Sequence, residues 1–161
     1  MVCIGAALWA ATLGIADGEP SRAGRPLDWG IYQIYWNGPK YRPTLEAQAA
    51  KLATRPAYVM FYRDLSCSFP KTGVDAINSL GATPIVSLEL WRWHDSKAKY
   101  LPALVAGDYD AFFREWAEAA KRDGRRVLLR FGFEFNGDWF SWSLKPKAYV
   151  KAWRRAHRIF Q

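Results

Sequence analysis

VLLRFGFEF, residues Val127–Phe135, alternates in a way that decides the fold. Leu128, Arg130, Gly132 and Glu134 fall on one face of an extended strand, and Leu129, Phe131, Phe133 and Phe135 on the other. The second face is apolar throughout and suits a covering of helices. The first turns polar toward its C-terminal end. PIVSLELW, Pro84–Trp91, repeats the pattern, with Val86, Leu88 and Leu90 on one side and Ser87 and Glu89 on the other. An open sheet with helices on both sides is apolar on both faces. A barrel whose catalytic mouth lies at the strands' C-terminal ends produces the observed gradient.

Working outward, strand-like and helix-like stretches take turns. Leu27–Trp36 (LDWGIYQIYW) reads as a first strand that stops at the turn residues Asn37, Gly38 and Pro39. Thr44 is the expected cap of a helix running to about Ala53. Ala57–Leu65 is a second strand, and Pro70–Leu80 a helix closed by Gly81. Asp108 is the expected cap of the clearest helix, whose Tyr109, Phe112, Phe113, Trp116, Ala117 and Ala120 recur at helical spacing up to Gly124. Pro146 opens the last helix, with Tyr149, Trp153, Ala156 and Phe160 as its inner stripe. Repeated βα units imply a parallel sheet covered by helices. No Gly-rich phosphate loop follows the first strand, which counts against a nucleotide-binding sheet. The predicted fold is α/β, of (β/α)8 TIM-barrel type. It is partial, because about four units are present where a barrel uses eight over roughly 250 residues.

Composition agrees with a packed domain: half of the 161 residues are apolar and 24% are charged. Nine Trp, eight Tyr and nine Phe are the outlier. Such rings fill cores, and their flat faces also take the C–H faces of sugars. The net charge of +8 could attract nucleic acid. Much of the excess, however, gathers in Lys145, Lys147, Lys151, Arg154, Arg155 and Arg158, of which Lys151, Arg154, Arg155 and Arg158 fit the solvated face of the last helix. No nucleic-acid partner is expected. Two cysteines and two histidines form no metal-ligand cluster, and neither a metal nor another cofactor is expected.

Val2–Ala16 is apolar and uncharged, short for a membrane span and suited to a signal-peptide core. The expected organisation is a signal peptide over residues 1–18, a polar linker over 19–26, and the barrel portion over 27–161. The mature protein is then secreted, with no stable membrane association once the leader is removed.

The chemistry gathers in Arg130 to Trp142. Glu134 stands near a strand's C-terminal end, with Arg130 on its face, Asn136 one step on, and Trp139 and Trp142 in the following loop. A carboxyl beside apolar rings loses hydration and holds a proton it can donate, whereas a nearby Arg favours the carboxylate. Alternation between acid and base uses both influences. The competing reading is an Arg–Glu pair that only orders a barrel lumen. Glu89, Trp91, Trp93 and His94 at the end of the third strand are candidates for hydrogen bonding to and stacking on a sugar chain, with core cover as the alternative for the two Trp. Tyr35 and Trp36 are weaker stacking candidates, and Asp64 reads as a turn cap.

The segment VLLRFGFEFNGDWFSW resembles the fourth-strand motif of glycoside hydrolase family 26, the β-mannanase family. That pattern runs Arg, a few residues, His-Glu-Met-Asn-Gly, then Trp and another Trp. AGDYDAFFREWAEAAKRDG and KAYVKAWRRAHRIF resemble the helices flanking it. The resemblance implies a retaining endo-acting glycoside hydrolase on a β-glycan such as β-1,4-mannan, with a polysaccharide or oligosaccharide as partner. It places the acid/base on Glu134 and supporting or sugar-lining roles on Arg130, Asn136 and Trp139. Phe133 stands where the family has His, a departure that removes a polar group beside the carboxyl. Retention needs a second carboxyl about 5 Å away. The resemblance places it on strand seven, beyond Gln161, so the isolated chain is expected to be inactive. Glu89 and, with less weight, Asp64 are the local alternatives. A non-catalytic glycan-binding barrel protein is the rival reading.

Overall fold

The computed structural model describes residues 28–34, 40–95 and 97–161. Strand β1 is Gly30–Tyr32, α1 Tyr41–Ala49, β2 Tyr58–Asp64, α2 Lys71–Ser79, β3 Thr83–Glu89, α3 Leu101–Ala106, α4 Asp110–Asp123, β4 Leu128–Phe131 and α5 Pro146–Phe160. The fold is α/β. All four strands are parallel and lie in sequential order, β1-β2-β3-β4, so each connection steps to the next neighbour without reversing. Crossovers of one hand in one direction put the helices on one side of the sheet. Burial agrees. Val59, Phe61, Val86 and Leu88 are fully buried, and Phe131 nearly so, against the helices. On the other face Tyr58, Met60, Tyr62, Ile85 and Leu128 are only half covered.

Leu27, Tyr35, Trp36, the leader and the linker lie outside the described residues. Among those described, no helix is long and apolar enough to cross a membrane. The predicted elements recur, with several corrections. Thr44 is not a cap: α1 starts three residues earlier, and the Thr44 hydroxyl donates back to the Lys40 carbonyl at 2.7 Å. Asp108 is not a cap either. Tyr109 precedes α4, and it is Asp110 in the first turn whose carboxylate is used, accepting from Arg155 Nε at 2.6 Å and Nη2 at 2.8 Å. Arg155 therefore ties α5 to α4 instead of lying on a purely solvated face. Helix α3 was not anticipated. Its marks are Pro102 in the first turn and Gly107 at φ 106°, the left-handed stop. Along α5 the buried positions are Ala152 and Ala156, while Trp153 is 43% and Phe160 37% exposed. These two rings border a groove of about 260 Å³ that also exposes Val127 and Leu129 beside β4.

The largest departure is in β4, which ends at Phe131 rather than Phe135. Gly132 and Glu134 both have φ 51°, so the strand's alternation breaks there. A Cβ on Gly132 would lie 2.6 Å from Leu90 Cδ1 and 3.0 Å from Tyr149, so only glycine turns the chain at that spot. Phe133 consequently swings to the half-covered face, with its ring 5.0 Å from that of Tyr62 and 4.7 Å from the Arg130 guanidinium.

Candidate active site

The strand register brings the chemistry to one rim. Tyr62, Ser87 and Arg130 stand side by side, and Asp64 pairs with Glu89 one step nearer the C-terminal edge. Glu134 follows just beyond the end of β4. Its carbonyl accepts from Gly137 N at 3.1 Å and from Ser143 Oγ at 3.0 Å, which folds residues 134–143 into a compact loop. Its carboxylate is exposed, and Oε2 accepts from Trp139 Nε1 at 2.8 Å. Trp139 itself is 64% exposed, so the pair forms an acid and a flat ring offered together to solvent.

Arg130 does not pair with Glu134. Its guanidinium donates to Ser87 Oγ at 3.3 Å and reaches Met60 Sδ at 3.9 Å, and the Phe133 ring lies over it. The expected Arg–Glu contact fails because Phe133, turned by Gly132, occupies the space between strand and loop. The enclosing of Glu134 by apolar rings is not found either, because the rings pack among themselves behind it. Trp142 is fully buried; its Nε1 donates to the Phe133 carbonyl at 2.8 Å, and its ring stacks on Phe140 at 4.5 Å and 4°. A Trp so enclosed has no face for a sugar and acts by holding the loop. Trp91 is half-buried with its ring edge-on to Phe140 and Trp142, which makes it cover for the same cluster. Asn136 is exposed in the loop tip.

At the end of β3, Trp93 is 50% exposed. Its Nε1 donates to Glu89 Oε2, and its backbone N–H donates to Asp64 Oδ2 at 2.6 Å. His94 is exposed beside it, in a loop closed by the Arg92–Asp95 bridge. Asp64 is fully buried. Burial alone would raise its pKa. Hydrogen bonds from Cys67 Sγ at 2.9 Å, Ser66 Oγ at 2.7 Å, the Trp93 N–H and the Ser66 N–H at 3.1 Å outweigh that and hold it below the ordinary carboxylate value. Burial and the adjacent Asp64 push the Cys67 thiol the other way, up. Asp64 thus caps its own turn, as the sequence indicates, and in addition pins the loop after β3.

Two contributors escaped sequence reading. Arg63 sits under the Trp93 ring, its Cζ 5.5 Å from the centroid. Tyr149 in α5 donates its hydroxyl to the Phe131 carbonyl at 2.6 Å and stacks on Phe135 at 4.8 Å, holding the backbone where β4 ends. Tyr149 was visible as an apolar-stripe residue, but its hydroxyl bond has no sequence signature. Among the described residues no group of three His, Cys, Asp or Glu side chains converges as metal ligands.

No family model matches the chain. It is similar to the protein named Endoglucanase H of Acetivibrio thermocellus, 26% identical over 123 residues, which cover 72% of this chain and 13% of that protein. The chain therefore spans only a small part of the length of the curated relative it matches. The similarity reaches a general relationship to glycoside hydrolases, and no particular family within them.

Proposed function

We propose that this chain is the acid/base-bearing portion of a secreted, retaining endo-glycanase of (β/α)8-barrel type, with Glu134 as the catalytic acid/base. The observation that carries the reading is the Glu134–Trp139 pair. A non-glycine residue at φ 51° sits at the C-terminal rim of a parallel sheet, its carboxylate exposed and fixed by an exposed indole at 2.8 Å. Non-glycine residues rarely adopt such a backbone, and those that do cluster at functional sites. The substrate is a β-1,4-linked glycan. The family 26 motif points to mannan, and the relative's name points to glucan.

In this reading the glycosidic oxygen between two sugars sits at Glu134. The protonated carboxyl delivers its proton as the C–O bond breaks, while an attacking carboxylate on chain following Gln161 forms a bond to the anomeric carbon. Glu134, now ionised, takes a proton from the water that releases the sugar. Trp139 orients the carboxylate through Oε2, leaving Oε1 for the proton in flight.

Testing requires the enzyme that contains this chain in its natural context. Hydrolysis of β-mannan, mixed-linkage β-glucan and xylan is compared before and after Glu134→Ala. Loss of at least about a hundredfold on the best substrate supports the assignment; unchanged hydrolysis rejects it. One observation favours a second reading, a non-catalytic glycan binder: Phe133 fills the position of the family His, and Arg130 turns to Ser87. Affinity for a glycan without any turnover would establish that alternative. The leader over residues 1–18 completes the proposal of secretion, and N-terminal sequencing of exported protein checks it.

A further inference from the structure

We propose that the end of β3 carries a sugar-binding subsite of its own, built on Trp93 and Glu89, that holds one neutral hexose unit away from the bond cleaved at Glu134. It rests on the reading of this rim as a glycan groove.

Trp93 is half exposed, yet it is fixed at three points, one on its backbone and two on its ring. Its backbone N–H is held by Asp64 Oδ2 at 2.6 Å, its Nε1 by Glu89 Oε2, and one ring face by the Arg63 guanidinium 5.5 Å from the centroid. The anchor is firm in turn, because Asp64 is fully buried and also gripped by Ser66 and Cys67. Immobilising a large side chain opposes its rotamer entropy, and an indole left half in water recovers little of that by burial. Such an arrangement is that of a preorganised platform. With one face on Arg63 and the residue half exposed, the opposite face is the one proposed to take the C–H face of a pyranose. The Glu89 carboxylate, held by Trp93 through Oε2, is the proposed acceptor of a sugar hydroxyl. The same carboxylate repels a uronic acid, which selects neutral sugars.

The experiment titrates mannohexaose, cellohexaose and an oligogalacturonate into the 161-residue chain. Binding is followed through the indole N–H resonances, with Trp93→Ala and Trp93→Phe as variants. Circular dichroism checks folding, which a half-exposed side chain leaves intact. A neutral hexasaccharide is expected to shift the Trp93 N–H. Trp93→Ala is expected to weaken binding by about tenfold or more, and Trp93→Phe, which keeps a stacking face, to restore part of it. The acidic oligomer binds more weakly than either neutral one. Unchanged affinity in Trp93→Ala, no hexasaccharide binding, or preference for the acidic oligomer overturns the subsite. Turnover, followed in the enzyme that contains this chain in its natural context, separates it from the hydrolase reading. Binding through Trp93 with hydrolysis indifferent to Glu134→Ala keeps the subsite and removes the catalytic role. Hydrolysis that depends on Glu134 with affinity indifferent to Trp93→Ala does the reverse.

Discussion

Glu134 and Asp64 show how position sets what a carboxylate does. Asp64 ends β2 and Glu134 lies just past β4 at the same rim, but Asp64 is fully buried among four donors, and Glu134 is exposed with one indole partner. Removing Asp64 leaves a cavity at a fully buried position and part-buried N–H, O–H and S–H donors without their acceptor. Asp64→Ala is therefore expected to destabilise the chain by about 2–4 kcal/mol in urea denaturation. A loss under about 0.5 kcal/mol, the range of ordinary surface changes, would show that the loop after β3 does not depend on it. Trp139→Phe should leave stability within about 0.5 kcal/mol, since the ring is 64% exposed. It removes the donor to Glu134 Oε2, so a fall in kcat with little change in KM is expected in the complete enzyme. The position of Glu134 near a strand end was legible from alternation alone. Its partner was not: Arg130 lies on the same face by spacing, but the turn at Gly132 separates the two. A strand pattern carries no mark of where extended backbone ends.

At the level of elements, glycines and ion pairs decide the boundaries. Gly132 and Gly124 both have positive φ, 51° and 72°, but a Cβ on Gly124 meets nothing within 4 Å, whereas one on Gly132 meets Leu90 and Tyr149. Gly124→Ala is expected to cost about 1 kcal/mol, the conformational term alone, and Gly132→Ala about 2–4 kcal/mol because steric strain is added. Equal losses in denaturant melts would argue against the packing described at the end of β4. At the opposite end of the sheet, Arg125 donates to Asp123 at 2.7 and 2.5 Å and to Asp75, and Lys71 pairs with Asp75 at 2.6 Å, coupling α2 to the end of α4. The Arg125 guanidinium lowers the Asp123 carboxyl from 3.8 to about 2. A carboxyl depressed on folding contributes stability that is fully present above its unfolded value and lost as pH falls through the folded one. The stability difference between wild type and Asp123→Asn should be constant above pH 3.8 and shrink toward pH 2; a difference independent of pH over that window would contradict the pairing. Strands and long helices were readable from periodicity. The glycine stops Gly81 and Gly124 were readable too, and both adopt positive φ; the N-caps were not, because Thr44 and Asp108 have side chains suited to capping, and only the structure shows that neither is used in that way.

For the molecule as a whole, the order β1-β2-β3-β4 leaves β1 and β4 with one neighbour each among the described residues, and one sheet face half covered. Unpaired parallel edges and an apolar groove beside β4 favour association. The 161-residue chain is expected to elute above its 18.4 kDa mass in light-scattering chromatography; a monodisperse monomer at that mass would contradict the expectation. The α/β class and parallel sheet were legible because each unit repeats the same two periodicities. Closure into a barrel is proposed from strand order and from the polar gradient along β3 and β4.

The most direct test uses the complete enzyme with Glu134→Ala on two substrates, a β-1,4-linked polysaccharide and an aryl glycoside whose phenol departs without protonation. Hydrolysis of the polysaccharide should fall about 10²–10⁴-fold while glycosyl transfer from the aryl substrate falls far less. Equal rates for variant and wild type on the polysaccharide, or equal losses on both substrates, would contradict the role given to Glu134.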